Sequence, residues 1–147
     1  MVISAKNIKR KIKQELNNSN VVLSDADYVT PNREWLQTNF YQMFVRNLSK
    51  NKLFRWKRYH DCDNKSFKYW QFASDCHAMT MMLREKQGLK VYQGIAVGVF
   101  FFKLRTRYGH AINFVITEYG LEFIEPQNGR FIDLTQEEKD SSWFAII

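Results

Sequence analysis

Proline and glycine are scarce in this sequence, which contains two prolines and six glycines in 147 residues. A flexible linker or a low-complexity segment needs more of both residues than the chain provides. The apolar content is ample, at 45% hydrophobic and 16% aromatic residues, which argues against a disordered chain. We therefore expect one folded domain that spans residues 1–147.

Long apolar segments are also lacking. The longest, Gly94 to Phe102, has the length of a β-strand and falls well short of the ~18–20 residues of a membrane span. The first residues, Met1 to Lys6, lack the apolar region and the small-residue cleavage site of a signal peptide. From these two absences we expect a cytoplasmic protein with no membrane span.

Acidic residues are outnumbered, because 15 Asp and Glu residues face 22 Lys and Arg residues, and the formal net charge is +7. The basic residues cluster from Lys6 to Lys13 and from Lys50 to Arg58. Such clusters favour an anionic partner, such as nucleic acid or an acidic host protein. One interpretation is therefore a basic binding or effector module, although a solvated surface accounts for the same charges.

The chain has only two cysteines, Cys62 and Cys76. If both lie on one helix, their 14-residue separation places the Cα atoms roughly 21 Å apart, whereas a disulfide needs less than ~7 Å. The same separation argues against a zinc ion held by a two-cysteine, two-histidine set. That set would consist of His60, Cys62, Cys76 and His77.

The first half of the chain has the periodicity of helices. Ser4 is a typical cap for a helix from Ala5 to about Leu16, in which apolar residues recur every four positions. Thr30-Pro31 predicts the start of a second helix that runs to about Leu48, because a hydroxyl cap precedes proline at the first helical position.

A long central helix is predicted from Asp61 or Asp63 to about Gln87, because Gly88 is suited to the left-handed conformation that ends a helix. The pattern beyond it is that of strands and hairpins. We therefore predict an α+β fold, with N-terminal helices packed on a C-terminal antiparallel sheet and an apolar tail tucked into the domain. The predicted strands are Gly94–Leu104, Gly109–Thr117, Leu121–Glu125 and Arg130–Leu134.

Cys62 is the candidate nucleophile. A thiol attacks as the thiolate, and its free pKa is near ~8.5. With Asp61 as the cap, Cys62 would lie in the first helical turn, where unpaired backbone N–H groups and the macrodipole favour negative charge. Its own N–H would donate to an oxyanion. A second donor is expected from upstream, from Tyr59, Trp56 or the loop Asp25–Tyr28.

His110 is the candidate base, because Gly109 and Ala111 leave space around it. Strand alternation puts His110 on one face with Ile112, Phe114 and Ile116, and we expect that face to meet the central helix. A third group usually orients a catalytic imidazole. Glu125 precedes Pro126 at the end of the next strand and is the first choice, while Gln127 and Asn113 are alternatives.

Three motifs resemble a known family. These are Asp61-Cys62-Asp63-Asn64, Gly109-His110-Ala111-Ile112-Asn113 and Ile124-Glu125-Pro126-Gln127-Asn128-Gly129. They are similar to the papain-like cysteine-protease domain of a mushroom agglutinin and to small bacterial and phage proteins related to it. A looser resemblance is to bacterial transglutaminase-like cysteine proteinases. The similarity extends from Tyr59 to Leu134, about half of the chain.

The resemblance implies a papain-like or transglutaminase-like domain and a cysteine peptidase that acts on proteins or peptides. It implies Cys62 as the nucleophile, His110 as the base and Glu125 as the orienting carboxylate; the same triad supports acyl transfer. The agglutinin protease is activated by calcium, so the resemblance raises calcium as the one cofactor to consider. No helix–loop–helix calcium loop is present, although Asp61, Asp63 and Asp75 are available as ligands. Sugar-binding repeats are lacking, so sugar binding is not implied.

Overall fold

A computed structural model describes residues 1–55, 57, 61–89, 93–104 and 108–147. It contains helices and a mixed sheet, which confirms the α+β class. The helices are α1 (Ala5–Glu15), α2 (Arg33–Trp35), which continues into a π-helical turn (Leu36–Phe40), α3 (Tyr41–Lys50), α4 (Cys62–Lys86) and α5 (Gln136–Asp140). The strands are β1 (Val2–Ser4), β2 (Asn20–Val22), β3 (Asp27–Val29), β4 (Gly94–Ile95), β5 (Val97–Lys103), β6 (Gly109–Thr117), β7 (Gly120–Glu125), β8 (Arg130–Ile132) and β9 (Phe144–Ile146).

The main sheet has six strands in the order β2-β9-β5-β6-β7-β8. The hairpins from β5 to β8 are antiparallel, as predicted, but β2 runs parallel to β9. The prediction of a purely antiparallel sheet is therefore wrong, because the C-terminal tail forms a strand and inserts between β2 and β5. A second sheet of three short strands, in the order β1-β3-β4, was not predicted.

Two of the predicted helices begin where the sequence indicated. The Ser4 side chain accepts a hydrogen bond from the Asn7 N–H at the start of α1, and α4 begins at Cys62 after Asp61. The predicted helix start at Thr30-Pro31 is wrong. Thr30 donates its N–H and its hydroxyl to the Met1 carbonyl oxygen, at 2.9 and 3.1 Å, and so extends the pairing of β1 with β3.

Asn32 caps that helix instead, because its Oδ1 accepts the Trp35 N–H at 2.9 Å. The helix continues through the π-helical turn into α3 and ends at Lys50, two residues beyond the predicted end. None of the helices in the described part of the chain combines the length and the apolar character that a membrane crossing requires.

The six-stranded sheet is buried on both faces. One face packs on α1 through residues that include Ile12 and Phe114, and the other packs on α3 and α4 through residues that include Tyr69 and Val115. Ile112, Phe114 and Ile116 belong to the α1 side, so the expectation that they meet the central helix is wrong. The reason is that β6 is buried on both sides, and alternation alone does not identify the layer that covers each face.

The first turn of α4 is fastened to β6 by buried hydrogen bonds. The Ser66 hydroxyl contacts two carbonyl oxygens, those of Cys62 at 2.8 Å and Ala111 at 2.9 Å. The Asn113 amide donates to the carbonyl oxygens of Ser66 and Gly98, both at 3.0 Å. These contacts hold the N-terminal end of α4 against the strand that contains His110.

Candidate active site

Cys62 is the first residue of α4 and is half-buried. The Asn64 side chain accepts the Asp61 N–H at 3.4 Å, and the Asn64 N–H donates to Asp63 Oδ1 at 2.8 Å. These bonds fix the first turn with the sulfur at the positive end of the helix dipole. A helix N-terminus stabilises a thiolate relative to a thiol.

His110 and Glu125 form a hydrogen-bonded ion pair, with Nε2 of the ring 3.2 Å from Oε2 of the carboxylate. The register of the sheet explains the contact. Asn113 pairs with Ile124 across β6 and β7, so the next position along β7 brings Glu125 beside the start of β6. Phe102 packs edge-on against the imidazole, with ring centroids 5.5 Å apart.

The Cys62 thiol is coupled to the same imidazole. The neighbouring His110 ring is the largest influence on the thiol and lowers its pKa; burial opposes this change, and the Ala111 backbone N–H adds to the lowering. Since Nε2 of the ring is bonded to Glu125, Nδ1 is the nitrogen left for the sulfur. The negative charge of Asp61 has the opposite effect and raises the pKa of the thiol.

The pKa of the His110 imidazole is shifted in the opposite direction, upward. Burial disfavours the charged ring and lowers its pKa, but the interactions with Cys62 and with the Glu125 carboxylate outweigh that cost and raise the pKa to about 9. A lowered thiol pKa beside a raised imidazole pKa shifts the balance toward a thiolate–imidazolium pair. Such a pair is the reactive form of a thiol nucleophile.

Glu125 is held by the turn that follows it. The Gln127 N–H donates to Glu125 Oε1 at 3.0 Å, and the N–H groups of Asn128 and Gly129 donate to the Glu125 carbonyl oxygen at 3.2 and 2.8 Å. Tyr41 donates its hydroxyl to the Gln127 carbonyl oxygen at 2.9 Å. Gln127 therefore contributes through its backbone, and its predicted alternative role as a side-chain partner of His110 is not observed.

Asn113 is fully buried, and its side-chain NH₂ group donates to the carbonyl oxygens of Ser66 and Gly98. A bond from Asn113 to the imidazole is not observed, and its NH₂ group fastens α4 to the sheet. The structure brings together Cys62, His110 and Glu125, and their catalytic roles stay a prediction.

Two of the candidates for the second oxyanion donor, Tyr59 and Trp56, lie outside the described residues. In the loop Asp25–Tyr28, the Tyr28 hydroxyl accepts the N–H groups of Ser24 and Asp25 at 2.9 and 2.8 Å, so it is committed to its own loop. The Ala111 N–H, which interacts with the sulfur, is a donor that the sequence did not reveal.

Of the suggested zinc set, His60 lies outside the described residues. Both cysteines are free thiols, and burial raises the pKa of Cys76. The Nε2 atom of His77 is 2.8 Å from the Gln93 carbonyl oxygen. Cys76 therefore lacks the electrostatic support that Cys62 receives.

A calcium ion does not fit the acidic residues around the thiol. Asp61, Cys62 and Asp63 place one ligand atom each within 4.8 Å of one another. Calcium takes 6–8 oxygen ligands, and a thiol is a soft ligand that it does not favour. Asp75 lies 12 residues beyond Asp63 on the same helix, which is roughly 18 Å along its axis, so it cannot complete the set.

Lys65 is a charged residue that the sequence reasoning missed. It lies in the first turn of α4, three residues after Cys62, and only 4% of its surface is exposed. Burial lowers the pKa of its ammonium group, and the negative charge of Glu125 acts in the opposite direction. The three-residue spacing is the signal that identifies it, because positions i and i+3 share one helix face.

No protein-family model and no curated protein matches the chain. Solved structures do match. A complex of PSL1a with E64 superposes with a TM-score of 0.73 at 17% identity, over 99% of this chain and 51% of that one. The second is a Polyporus squamosus lectin bound to the human-type influenza-binding epitope Neu5Aca2-6Galb1-4GlcNAc, with a TM-score of 0.70 at 16% identity, over 99% of this chain and 49% of that one.

The fold is agglutinin-related. The chain spans about half the length of each of the two matched chains, and almost all of it takes part in the match. At 16–17% identity the similarity concerns the fold alone. The expected relation to a mushroom agglutinin is thus confirmed for the fold.

Proposed function

We propose that the protein is a cysteine-dependent acyl hydrolase of papain-like arrangement, and that its main activity is that of a peptidase. The observation that supports this proposal is the grouping of the Cys62 thiol, the His110 imidazole and Glu125: His110 is hydrogen-bonded to Glu125 at 3.2 Å and is the main influence that lowers the pKa of the thiol. The ionisation of both partners is shifted in the direction that a thiolate nucleophile requires.

In the proposed reaction the Cys62 thiolate attacks the carbonyl carbon of an amide or ester, and the electron pair of the carbonyl moves to its oxygen. The N–H of Cys62 at the start of α4 stabilises this oxyanion. The His110 imidazolium then protonates the leaving nitrogen or oxygen as the bond to the acyl carbon breaks. Glu125 holds the ring and stabilises its charge.

Water completes the cycle. The neutral imidazole takes a proton from the water molecule as its oxygen attacks the thioester, and the thiolate leaves with the electron pair of the C–S bond. An amine in place of water gives acyl transfer by the same steps. The similarity of fold to PSL1a in complex with E64 supports the proposal of a thiol site, because E64 is an epoxide that reacts with thiolates.

Alkylation kinetics test the proposal. At neutral pH we expect iodoacetamide and E64 to modify Cys62 at least about tenfold faster than Cys76, because the pKa of Cys62 is lowered and that of Cys76 is raised. Mass spectrometry of the intact protein and of its peptides measures both rates. The variant His110→Ala is expected to remove the difference, and His77→Ala is the matched control that leaves it unchanged.

Equal rates at the two cysteines in the folded protein would contradict the proposal. A change of the Cys62 rate in His77→Ala as large as that in His110→Ala would also contradict it, because the thiol would then be insensitive to its assigned partner.

A second candidate function is a basic module that binds an anionic partner. The specific observation is a cleft of about 400 Å³ whose lining includes the exposed Phe54 and three cationic residues, Lys52, Arg55 and Lys57. Aromatic and basic side chains together suit single-stranded nucleic acid. The remainder of the Lys50–Arg58 cluster includes residues outside the described structure.

Titration of a fluorescent single-stranded oligonucleotide at several salt concentrations tests this second function. Binding that weakens steeply as salt increases, and that is lost in Phe54→Ala, would support it. Failure to bind at low salt would remove it.

A further inference from the structure

Lys65 is the one charged residue among the buried residues of the described chain. A buried ammonium group is costly unless an acceptor compensates for the lost water. The ion pairs found among the described residues do not include Lys65. The residue is therefore largely buried and forms no ion pair in the part of the chain that the structure describes, and its Nζ atom is not among the fully buried polar atoms that lack a partner.

The position of Lys65 places it at the candidate active site. It lies one turn after Cys62 on α4, and side chains three residues apart on a helix have Cβ atoms ≈ 5–6 Å from each other. The next residue, Ser66, is bonded to Ala111 at 2.9 Å, so this turn packs directly on the strand of His110.

Glu125 is the acidic residue that influences Lys65, but no ion pair within 4.0 Å joins their side chains in the described part of the chain. Oε2 is bonded to His110 at 3.2 Å and Oε1 accepts the Gln127 N–H at 3.0 Å. The carboxylate therefore lowers the cost of the buried cation at a distance without serving as its partner. An ammonium group without an ion-pair partner can donate hydrogen bonds to an anionic group of a bound molecule.

We propose that Lys65 forms a subsite for a carboxylate of the acyl donor, so that the enzyme prefers substrates with an acidic group close to the scissile bond. This inference rests on the proposed function and specifies its substrate class. Lys65 would contact the substrate without taking part in the proton transfers, which belong to His110.

The rates at which two alkylating agents of nearly equal size react with Cys62 test the subsite. Iodoacetate carries a carboxylate and iodoacetamide does not, and both form a bond from sulfur to carbon while iodide leaves. We expect Lys65→Met to reduce the ratio of the iodoacetate rate to the iodoacetamide rate at Cys62 by roughly fivefold, because one nearby positive charge is lost. Asp61 and Asp63 repel anions at the same turn, so the change in the ratio is the informative quantity rather than its absolute value.

Lys68→Met is the matched control, since Lys68 lies one turn further on α4 and is exposed. We expect Lys68→Met to leave the ratio of the iodoacetate rate to the iodoacetamide rate unchanged. We expect Lys65→Arg, which keeps the positive charge, to have a ratio close to that of the wild type. In a second measurement, glutarate should slow the iodoacetamide labelling of Cys62 in the wild type and have no such effect in Lys65→Met. Lys65→Met exchanges a buried cation for an apolar chain of similar length and should preserve the fold.

The two proposals fail in different ways. If Cys62 reacts faster than Cys76 but the ratio is the same in wild type and Lys65→Met, the carboxylate subsite is disproved and the nucleophile remains. An equal fall of the ratio in Lys68→Met also disproves the subsite, because the effect would then come from overall charge. If Cys62 has no excess reactivity toward either reagent, the proposed function itself fails.

Discussion

Glu125 is the residue whose charge supports the ionisation of His110. Their hydrogen bond and the negative charge of Glu125 both raise the pKa of the ring. We therefore expect Glu125→Gln to lower the His110 pKa below about 9 and to slow the alkylation of Cys62 at neutral pH by roughly tenfold. Histidine NMR titration and iodoacetamide kinetics measure the two effects.

The same shift predicts how stability changes with pH. The folded-state pKa of His110 lies above its ordinary value of 6.5, so its contribution to stability is complete below pH 6.5 and is lost as the pH rises through about 9. In Glu125→Gln this loss should be smaller and should occur at lower pH. Glu122→Gln, on the same strand, is the control, and an equal change in that variant would contradict the assignment.

At the scale of elements, α4 positions the thiol because its first turn is bonded to β6 through Ser66. Ser66→Ala removes a buried hydroxyl and leaves the Ala111 carbonyl oxygen without this donor. We expect the free energy of unfolding to fall by ~1–3 kcal/mol, and the alkylation of Cys62 to slow because the helix start is less firmly held. Urea unfolding and labelling rates measure these effects.

Thr80→Ala is the matched control. Thr80 donates its hydroxyl to the Cys76 carbonyl oxygen, four residues earlier on the same helix, at 3.1 Å, but it is exposed and contacts no strand through this bond. We expect its loss to change stability by less than ~0.5 kcal/mol. A similar cost for both variants would show that the bond from Ser66 to β6 has no special role.

The elements that the sequence predicted are those with a strong local signal. Gly88 marks the end of α4 because it adopts a positive φ of 80°, and alternation identifies β6 at its observed bounds. The sheet β1-β3-β4 was not predictable, since strands of two or three residues show no period. Thr30-Pro31 misled because a tertiary contact with Met1 overrides its local preference for a helix start.

In the candidate site, too, the residues with a local sequence signal could be predicted and those that depend on tertiary packing could not. Cys62 and Glu125 could be proposed from a helix start and a strand end, which are local features. Lys65 could not, because its importance comes from burial, and burial depends on how α4 packs against the sheet. The layer that covers each face of β6 is likewise a property of the whole chain.

At the scale of the whole molecule, one sheet separates two apolar layers that should unfold together. Ile12 is fully buried on the α1 side of the sheet, whereas Cys62 is on α4, so that its labelling rate monitors the structure of the other side. We expect Ile12→Ala to lower the free energy of unfolding by ~2–5 kcal/mol through the cavity it creates, and to leave the Cys62 alkylation rate unchanged under native conditions.

Urea titration followed by circular dichroism and by the loss of rapid Cys62 labelling tests this expectation. Because the strands of the sheet contribute side chains to both layers, the two transitions should coincide in wild type and in Ile12→Ala. Val2→Ala, at a position with 52% exposure, is the control that should shift neither transition. Two separate transitions would mean that the layer around α1 unfolds independently of the thiol site, and that the sheet does not couple them.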